Sequence, residues 1–339
     1  MRAWRFSALN GTLEDSLTLQ NDLPIPDASA LTARQIIVKI ISAALNPVDY
    51  KLPEAGLIGR LVVTRPSTPG IDFCGRVIAT HTSETTLQVE QLVFGGFSSA
   101  AGQMGTLGEY IVISTDCCAP LPEGVHPDHA AAAGTAATTA YQSLLSTTCH
   151  PGANVFIDGG SGGVGTWTIQ LAKAMGAEVV TTCSGANAEL CRQLGADEVI
   201  DYKTEDVMAK LKAKGTVFDL VIDNVAKTST LYDNRHSILS KTGKFVQVGV
   251  GNGLSLSTPV SMAARQIRGV IWDTRKFQII SMKNSAEFLS RIGRWMASGE
   301  ARAVIDSMYS FEDVPAAYRK LRGGHAIGKI VIHVSDEGE

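Results

Sequence analysis

The residues with the plainest chemical reading are Gly159-Gly160-Ser161-Gly162-Gly163-Val164-Gly165, which contain G-x-G-x-x-G as Gly160, Gly162 and Gly165. Asn154 to Asp158, just before them, reads as an apolar strand. Val164 to Met175, just after, reads as a helix with apolar residues at 164, 167, 171, 172 and 175, stopped by Gly176. A turn that only glycine tolerates, leading into a helix start with free N–H groups and a positive dipole end, suits a pyrophosphate. The backbone N–H groups of Gly162, Gly163 and Val164 are expected to hold it, with Ser161 beside them. A glycine-rich turn without a ligand is the alternative, and this context disfavours it.

An NAD site of this kind places an acidic residue about 20 positions further on. Here that stretch is Thr181-Thr182-Cys183-Ser184-Gly185-Ala186-Asn187, with no carboxylate. Ser184 and Asn187 would accept a 2′-phosphate, so NADPH is expected over NADH, although no Arg or Lys stands in the turn. Tyr202 offers an aromatic face for adenine. Lys203 offers either the missing charge or simply a solvated lysine. Asn224 follows the fourth strand at the sheet's carboxyl edge, where ligands of such folds sit. Gly249 and Val250, ending the fifth, are expected at the nicotinamide carboxamide.

Metal chemistry has weaker support. His126 and His129 form an H-x-x-H in a Pro-rich loop with no evident cysteine or carboxylate partner, and the six cysteines include no C-x-x-C pair. Neither a metal site nor a disulfide framework is expected.

The elements that must position these residues follow from length and pattern. At about 150 residues per domain, 339 residues suggest two domains. Hydrophobic residues at 45% and charged residues at 19% describe a globular chain rather than a disordered one. Thirty Lys plus Arg against 33 Asp plus Glu leave a net charge of −3, too near neutral for a nucleic-acid or anionic-membrane face. The start Met1-Arg2-Ala3-Trp4-Arg5-Phe6 lacks a secretory apolar stretch, so a cytoplasmic protein is expected.

Residues 1–125 read as short strands with Gly and Pro punctuation, among them Gln35 to Ala43, Arg76 to Ala79 and Tyr110 to Ser114. The Ala-rich stretch 130–145 reads as one helix. Strands and helices then alternate: strands at 154–158, 178–183, 198–202, 218–225 and 244–250, and helices at 164–175, 188–194, 204–214 and 228–240. This predicts an α/β fold with a doubly wound parallel sheet over 126–268. Mixed structure returns over 269–339, with helices at 286–297 and 314–322 and a strand at 329–333.

Five segments in order carry a family resemblance. They are Ala44-Leu45-Asn46-Pro47-Val48-Asp49-Tyr50-Lys51, Pro69-Gly70-Ile71-Asp72-Phe73-Cys74-Gly75, Gly105-Thr106-Leu107-Gly108-Glu109-Tyr110, Thr139-Ala140-Tyr141-Gln142-Ser143-Leu144 and the glycine turn. With them, and with the closing Gly328-Lys329-Ile330-Val331, the chain resembles the zinc-independent medium-chain dehydrogenase/reductases, which include quinone oxidoreductases and fungal trans-acting enoyl reductases. The resemblance implies a GroES-like, mostly β catalytic domain made from both ends of the chain (1–125 and 269–339) and a central Rossmann NADPH-binding domain (126–268), with the active cleft between them.

The resemblance also implies site residues. Asn46 would lie beside the nicotinamide ribose or substrate, Lys51 would reach the cleft, Thr139 would contact nicotinamide or substrate, and Tyr50 is a second donor candidate. Lys329 is counted with the cofactor contacts. For Lys51, a surface lysine after a strand remains the alternative. Asp72 is taken as structural, and the segment from Asp273 to Met282 as lining the acceptor pocket. Zinc-dependent relatives carry Cys near Asn46 and Gly-His-Glu where this chain has Gly70-Ile71-Asp72, so two ligands are missing.

The expected activity is NADPH-dependent hydride transfer to an activated C=C bond, an enoyl or enone reductase, with secondary metabolism as its setting. An NADPH quinone oxidoreductase and a non-catalytic NADPH-binding protein are the alternatives. Expected partners are a small enone, thioester or quinone, a synthase presenting it, and a second copy in a homodimer.

Overall fold

A computed structural model describes residues 1–84, 86–97, 104–145, 149–249 and 276–335. The chain divides into two compact units, Met1–Thr138 with Lys283–Glu339, and Thr139–Met282.

The β-branched run of the first unit forms its central strand. β3 (Gln35–Ala44) buries Ile36, Ile37, Val38, Ile40 and Ile41 on both faces, as a strand covered on both sides must. β4 (Asp72–Thr80) pairs with it on one side; β6 (Tyr110–Ser114) and β15 (Lys329–His333) pair with it on the other, all antiparallel. β5 (Leu92–Gly96) and β7 (Cys118–Pro120) extend the sheet past β4, and β14 (Ile305–Ser310) lies parallel to β15 at the far edge. Both ends of the chain therefore build one sheet. β1 (Ala3–Arg5) and β2 (Thr18–Gln20) form a separate ribbon. Phe6, Phe73, Phe311 and Tyr318 fill the core beneath.

The Ala-rich stretch is two helices, not one: α4 (Pro127–Ala131) and α5 (Gly134–Leu145). The break comes where the chain presses against the sheet. A Cβ on Gly134 would lie 2.4 Å from Gly95 O and 2.7 Å from Asp72 Oδ1. Asp72 Oδ1 accepts the Thr135 N–H at 2.7 Å and the Thr135 hydroxyl as well, capping the new helix. Because α4 packs on β3 and β4, the units divide after Thr138 rather than after residue 125.

Among the described residues the second unit has six strands: β8 (Asn154–Asp158), β9 (Glu178–Cys183), β10 (Glu198–Asp201), β11 (Phe218–Asp223), β12 (Leu239–Val248) and β13 (Lys276–Ile280). All are parallel, in the order β10-β9-β8-β11-β12-β13. Counted within the unit this is 3-2-1-4-5-6, the doubly wound dinucleotide-binding order. The order reverses between β8 and β11, so a crevice opens beyond their carboxyl ends.

Two expectations change here. Residues 228–240 hold one short helix, α9 (Thr230–Asp233), a 3-10 turn and the start of β12. The Asn234 side chain and backbone N–H both donate to the Thr230 carbonyl, at 2.9 and 3.2 Å, and the Ser237 N–H and hydroxyl then close a tighter turn on the Asn234 carbonyl, at 3.0 and 2.7 Å, which ends the α-helix. Lys276–Ile280, expected in the GroES-like part, is the sixth strand of this sheet, which moves the second boundary from 268 to 282. Its Phe277 packs against Tyr232 and Phe245. Residues 273–275, also expected at an acceptor pocket, lie outside the described residues. Among the described residues no helix is long and apolar enough to cross a membrane.

Candidate functional site

The glycine turn lies at the switch point between β8 and β11, and each motif glycine has its own reason to lack a side chain. A Cβ on Gly160 would sit 2.2 Å from Thr181 Oγ1 on β9, and one on Gly165 would sit 2.1 Å from Gly159 O. Those two let helix α6 (Gly163–Ala174) approach the sheet. Gly162 differs: a Cβ there would meet only Gly159 O, at 3.5 Å, and its φ of −78° suits any residue. Among the described residues nothing requires glycine at 162, whereas a ligand lying against the backbone would. Gly162 caps α6 with no side-chain bond, so the first-turn N–H groups at Gly163 and Val164 face outward.

Asn224 supplies a second indication. Both side-chain amide atoms are buried and have no hydrogen-bond partner, a condition that folded proteins avoid. A Cβ on Gly159 would lie 3.9 Å from the Asn224 Cβ, so this amide stands beside the turn. The bare backbone at Gly162 and the open amide at Asn224 together fit a dinucleotide diphosphate and its neighbouring groups.

The other expected contacts stand as follows. Asn187 Nδ2 donates to Ser161 Oγ at 3.1 Å, and the Asn187 N–H donates to Ser184 O at 2.8 Å, joining the three residues. Tyr202 is exposed. Gly249 has a φ of +69°, and its carbonyl accepts Gln247 Nε2 at 3.2 Å. Val250 lies outside the described residues. Thr139, at the start of this unit, is buried, and its carbonyl accepts Ser143 Oγ at 2.8 Å.

Three carboxylates nearby carried no reading in sequence. Asp201 ends β10, and its Oδ2 would lie 2.6 Å from a Cβ on Gly185. A carboxylate from the next strand thus reaches the turn that holds none of its own. It binds the Lys203 N–H and the Thr204 hydroxyl, and the Lys203 N–H foremost holds it below the ordinary range. Asp158 and Asp223 end neighbouring strands in register. Burial pushes Asp158 up to about 6, and the like charge of Asp223 adds to this, while the Thr182 hydroxyl opposes it.

In the GroES-like unit Asn46 and Lys329 fall into a buried polar network. Lys329 Nζ donates to Leu45 O at 2.8 Å, Asn46 Oδ1 at 2.7 Å and Asp72 Oδ2 at 3.1 Å. Its three donors are all engaged, so Lys329 holds Asn46 in place and has no proton left to offer a cofactor. Asn46 Nδ2 donates to Asp72 Oδ2 at 2.9 Å and to Ala44 O at 3.3 Å. Asp72 is the hub, ion-paired to Lys329 and hydrogen-bonded to Thr135, consistent with its structural reading.

Helix α2 (Pro47–Lys51) starts at Asn46, whose N–H donates to Asp49 Oδ2 at 2.8 Å. This is a capping arrangement legible in the spacing Asn46 to Asp49. Tyr50 lies under the Arg322 guanidinium, whose Cζ is 4.3 Å from the ring centre, and burial raises its phenol. Arg322 also binds Glu14 and Glu54 in paired contacts of 2.6–3.0 Å. Lys51, on the same helix, is half-buried, and burial lowers its ammonium.

His126 and His129 stand with ring centres 6.4 Å apart, and His126 Nδ1 accepts the Asp128 N–H at 3.3 Å. Among the described residues no three His, Cys, Asp or Glu side chains converge on one point.

The GroES-like sheet closed by both chain ends, the 3-2-1-4-5-6 sheet and the glycine cradle have counterparts among known proteins. A family model described as alcohol dehydrogenase GroES-like domain matches residues 32–123, and one described as zinc-binding dehydrogenase matches residues 194–332. The chain is 41% identical to the trans-enoyl reductase pgmF of Aspergillus terreus, over 100% of this chain and 98% of that one. The chain belongs to the medium-chain dehydrogenase/reductase superfamily. Members of this superfamily are oxidoreductases that bind a nicotinamide cofactor. The 2-methylene-furan-3-one reductase of Solanum lycopersicum, another relative, is 31% identical over 98% of this chain and 79% of its own. The quinone oxidoreductase structure from Coxiella burnetii superposes with a TM-score of 0.84 at 28% identity, covering 99% of each chain.

Proposed function

We propose that this medium-chain dehydrogenase/reductase uses NADPH to reduce the activated C=C bond of an enone or enoyl thioester. The observation that carries this reading is the full-length likeness to a trans-enoyl reductase. The bare backbone at Gly162 and the open amide of Asn224 support a dinucleotide in the crevice. For the 2′-phosphate the reading rests on Ser184, Asn187, Tyr202 and Lys203, with the Asp201 carboxylate tied to local N–H and O–H donors.

When bound, the reduced nicotinamide supplies the hydride. The protein must hold the diphosphate on the N–H groups of Gly162, Gly163 and Val164, and must stabilise the charge that develops on the carbonyl oxygen. Lys51 is suited to stabilising that charge, because a half-buried ammonium interacts with an oxyanion more strongly than a solvated one. Asn46, held by Lys329 and Asp72, is a rigid polar group at the head of the same helix.

The test follows loss of NADPH absorbance with an enone or enoyl thioester and, separately, with a quinone, identifying products by mass spectrometry. Saturated product supports the reading. Turnover with quinone alone supports the second reading, a quinone reductase, which the likeness to the Coxiella structure favours. Under the first reading, Lys51→Met lowers kcat by about 10²-fold; unchanged turnover removes the role.

A further inference from the structure

Asp49 is a carboxyl group of the GroES-like unit for which neither the cofactor cradle nor the Asn46 network has a complete use. Its Oδ2 accepts the Asn46 N–H at 2.8 Å and faces the Tyr318 hydroxyl at 3.4 Å. Its Oδ1 is buried and has no hydrogen-bond partner. An ionised carboxylate accepts through both oxygens, whereas a carboxylic acid carries a proton on one of them. Asp49 also lines a small cavity together with Phe6, Pro53, Thr68, Phe97 and Met104. The cavity's volume is about 10 Å³, close to the roughly 10–15 Å³ that a single water molecule requires. Gly70 forms part of its wall, and a Cβ there would lie 2.4 Å from Thr106 Oγ1, another buried oxygen without a partner. A small cavity with one buried acid at its wall is a place where a proton can be kept.

We propose that Asp49 holds the proton consumed by the reduction and releases it through this cavity. The inference rests on the C=C reductase reading. Once the acceptor's β-carbon has taken the hydride, an electron pair lies on the resulting enolate. A water in the cavity gives a proton to the α-carbon, where the C–H bond forms, and takes one from Asp49, whose O–H bond breaks; the carboxylate left behind regains a proton from solvent. One NADPH and one proton are used per saturated product.

The surroundings of Asp49 favour this role. Burial pushes the carboxyl up to about 7, and nearby Asp72 adds to the shift. The Asn46 N–H, the Lys329 ammonium and the Tyr318 hydroxyl oppose it. Arg65 stands over the ring of Phe6, which lines the cavity, its Cζ 5.6 Å from the ring centre. An acid poised near neutrality gives up and recovers its proton with little driving force lost in either direction.

The test begins on the protein alone. Infrared difference spectra across neutral pH are expected to show a protonated carboxyl band that titrates near 7 and is absent in Asp49→Asn. No such band overturns the proposal, whatever the acceptor proves to be. With an enone in heavy water, the native enzyme is expected to place deuterium on one face of the α-carbon, and kcat to fall as pH rises through the same ionisation. Asp49→Asn should then lose about 10²-fold or more in kcat, together with that pH dependence and the facial selectivity. Unchanged kcat and selectivity overturn the proposal. Should Asp49→Asn fail to fold, Tyr318→Phe replaces it. Removing a donor to the carboxylate should shift the alkaline limb upward, and an unmoved limb overturns the proposal. Absence of any C=C reduction by the native enzyme counts against the functional reading alone, because the infrared titration does not depend on turnover.

Discussion

Lys329 Nζ lies 2.7 Å from Asn46 Oδ1, a contact between residues 283 positions apart. It exists because β15, from the end of the chain, pairs with β3 next to the turn that begins α2. The ammonium is almost fully buried against Asp72, which is fully buried, so neither charge has water to fall back on. Lys329→Met is therefore expected to destabilise the protein by about 3–5 kcal/mol, the usual effect of removing one partner of a buried ion pair. Adding Asp72→Asn should recover part of the loss, because the second change removes the stranded charge. Urea unfolding of the two single variants and the double variant measures both effects.

The motif glycines make separable predictions. Gly160→Ala drives a methyl into Thr181 and Gly165→Ala drives one into the Gly159 carbonyl, so both should lower the unfolding midpoint. Gly162→Ala has open space and an ordinary φ. It should leave the midpoint near that of the native protein while weakening NADPH binding by about tenfold or more. Thermal unfolding without ligand, paired with calorimetric titration, distinguishes stability from binding.

Asp158 makes stability depend on pH. Its folded pKa of about 6 lies above the roughly 3.9 of an unfolded aspartate. The folded state therefore retains a proton that the unfolded chain has already released. Its contribution is fully present below about pH 4 and is lost as pH rises through about 6. Asp158→Asn keeps an acceptor for the Thr182 hydroxyl and cannot ionise. Near pH 8 it should be more stable than the native protein by up to about 3 kcal/mol, and the advantage should vanish near pH 4. Denaturant melts across this range provide the check.

Arg322 bonds to two carboxylates and covers the Tyr50 ring. Arg322→Ala leaves Glu14, whose side chain is almost fully buried, facing Glu54 without a cation. A destabilisation of about 3 kcal/mol is expected, and Glu14→Gln in the same protein should relieve part of it. Because Tyr50 is engaged as the aromatic partner of this cluster, Tyr50→Phe should lower kcat far less than Lys51→Met does. Steady-state kinetics on the two variants compare them directly.

Local signals located the elements of the second unit well. Its first four strands and the helix after the glycine turn lie within about two residues of their expected places, because apolar runs mark them, whereas β12 begins at Leu239 rather than at Lys244. The long helix expected over 228–240 is absent for a local reason as well, the Ser237 N–H and hydroxyl closing a tighter turn on the Asn234 carbonyl. Lys276–Ile280 falls in a different unit from the one expected because a short edge strand does not reveal which sheet it joins. Among site residues, the glycine motif and Asn224 were placed from strand order. The acid at Asp49, the Asp158–Asp223 pair, the Asp201 carboxylate beside Gly185 and the clamp on Tyr50 had no sequence signal.

The family resemblance implied the mostly β unit drawn from both ends of the chain. The sequence by itself determined the α/β class and the turn able to receive a diphosphate. Those depend on periodicity and on backbone freedoms, which are properties of neighbouring residues. Only the tertiary structure decided what each polar side chain does. Lys329 became the brace of Asn46, Tyr50 a stacking partner, and Asp49 an acid at the wall of a cavity. Hydrogen-bond partners and burial come from distant segments brought together, and they set the charge state and availability of a group that its neighbours in sequence do not control.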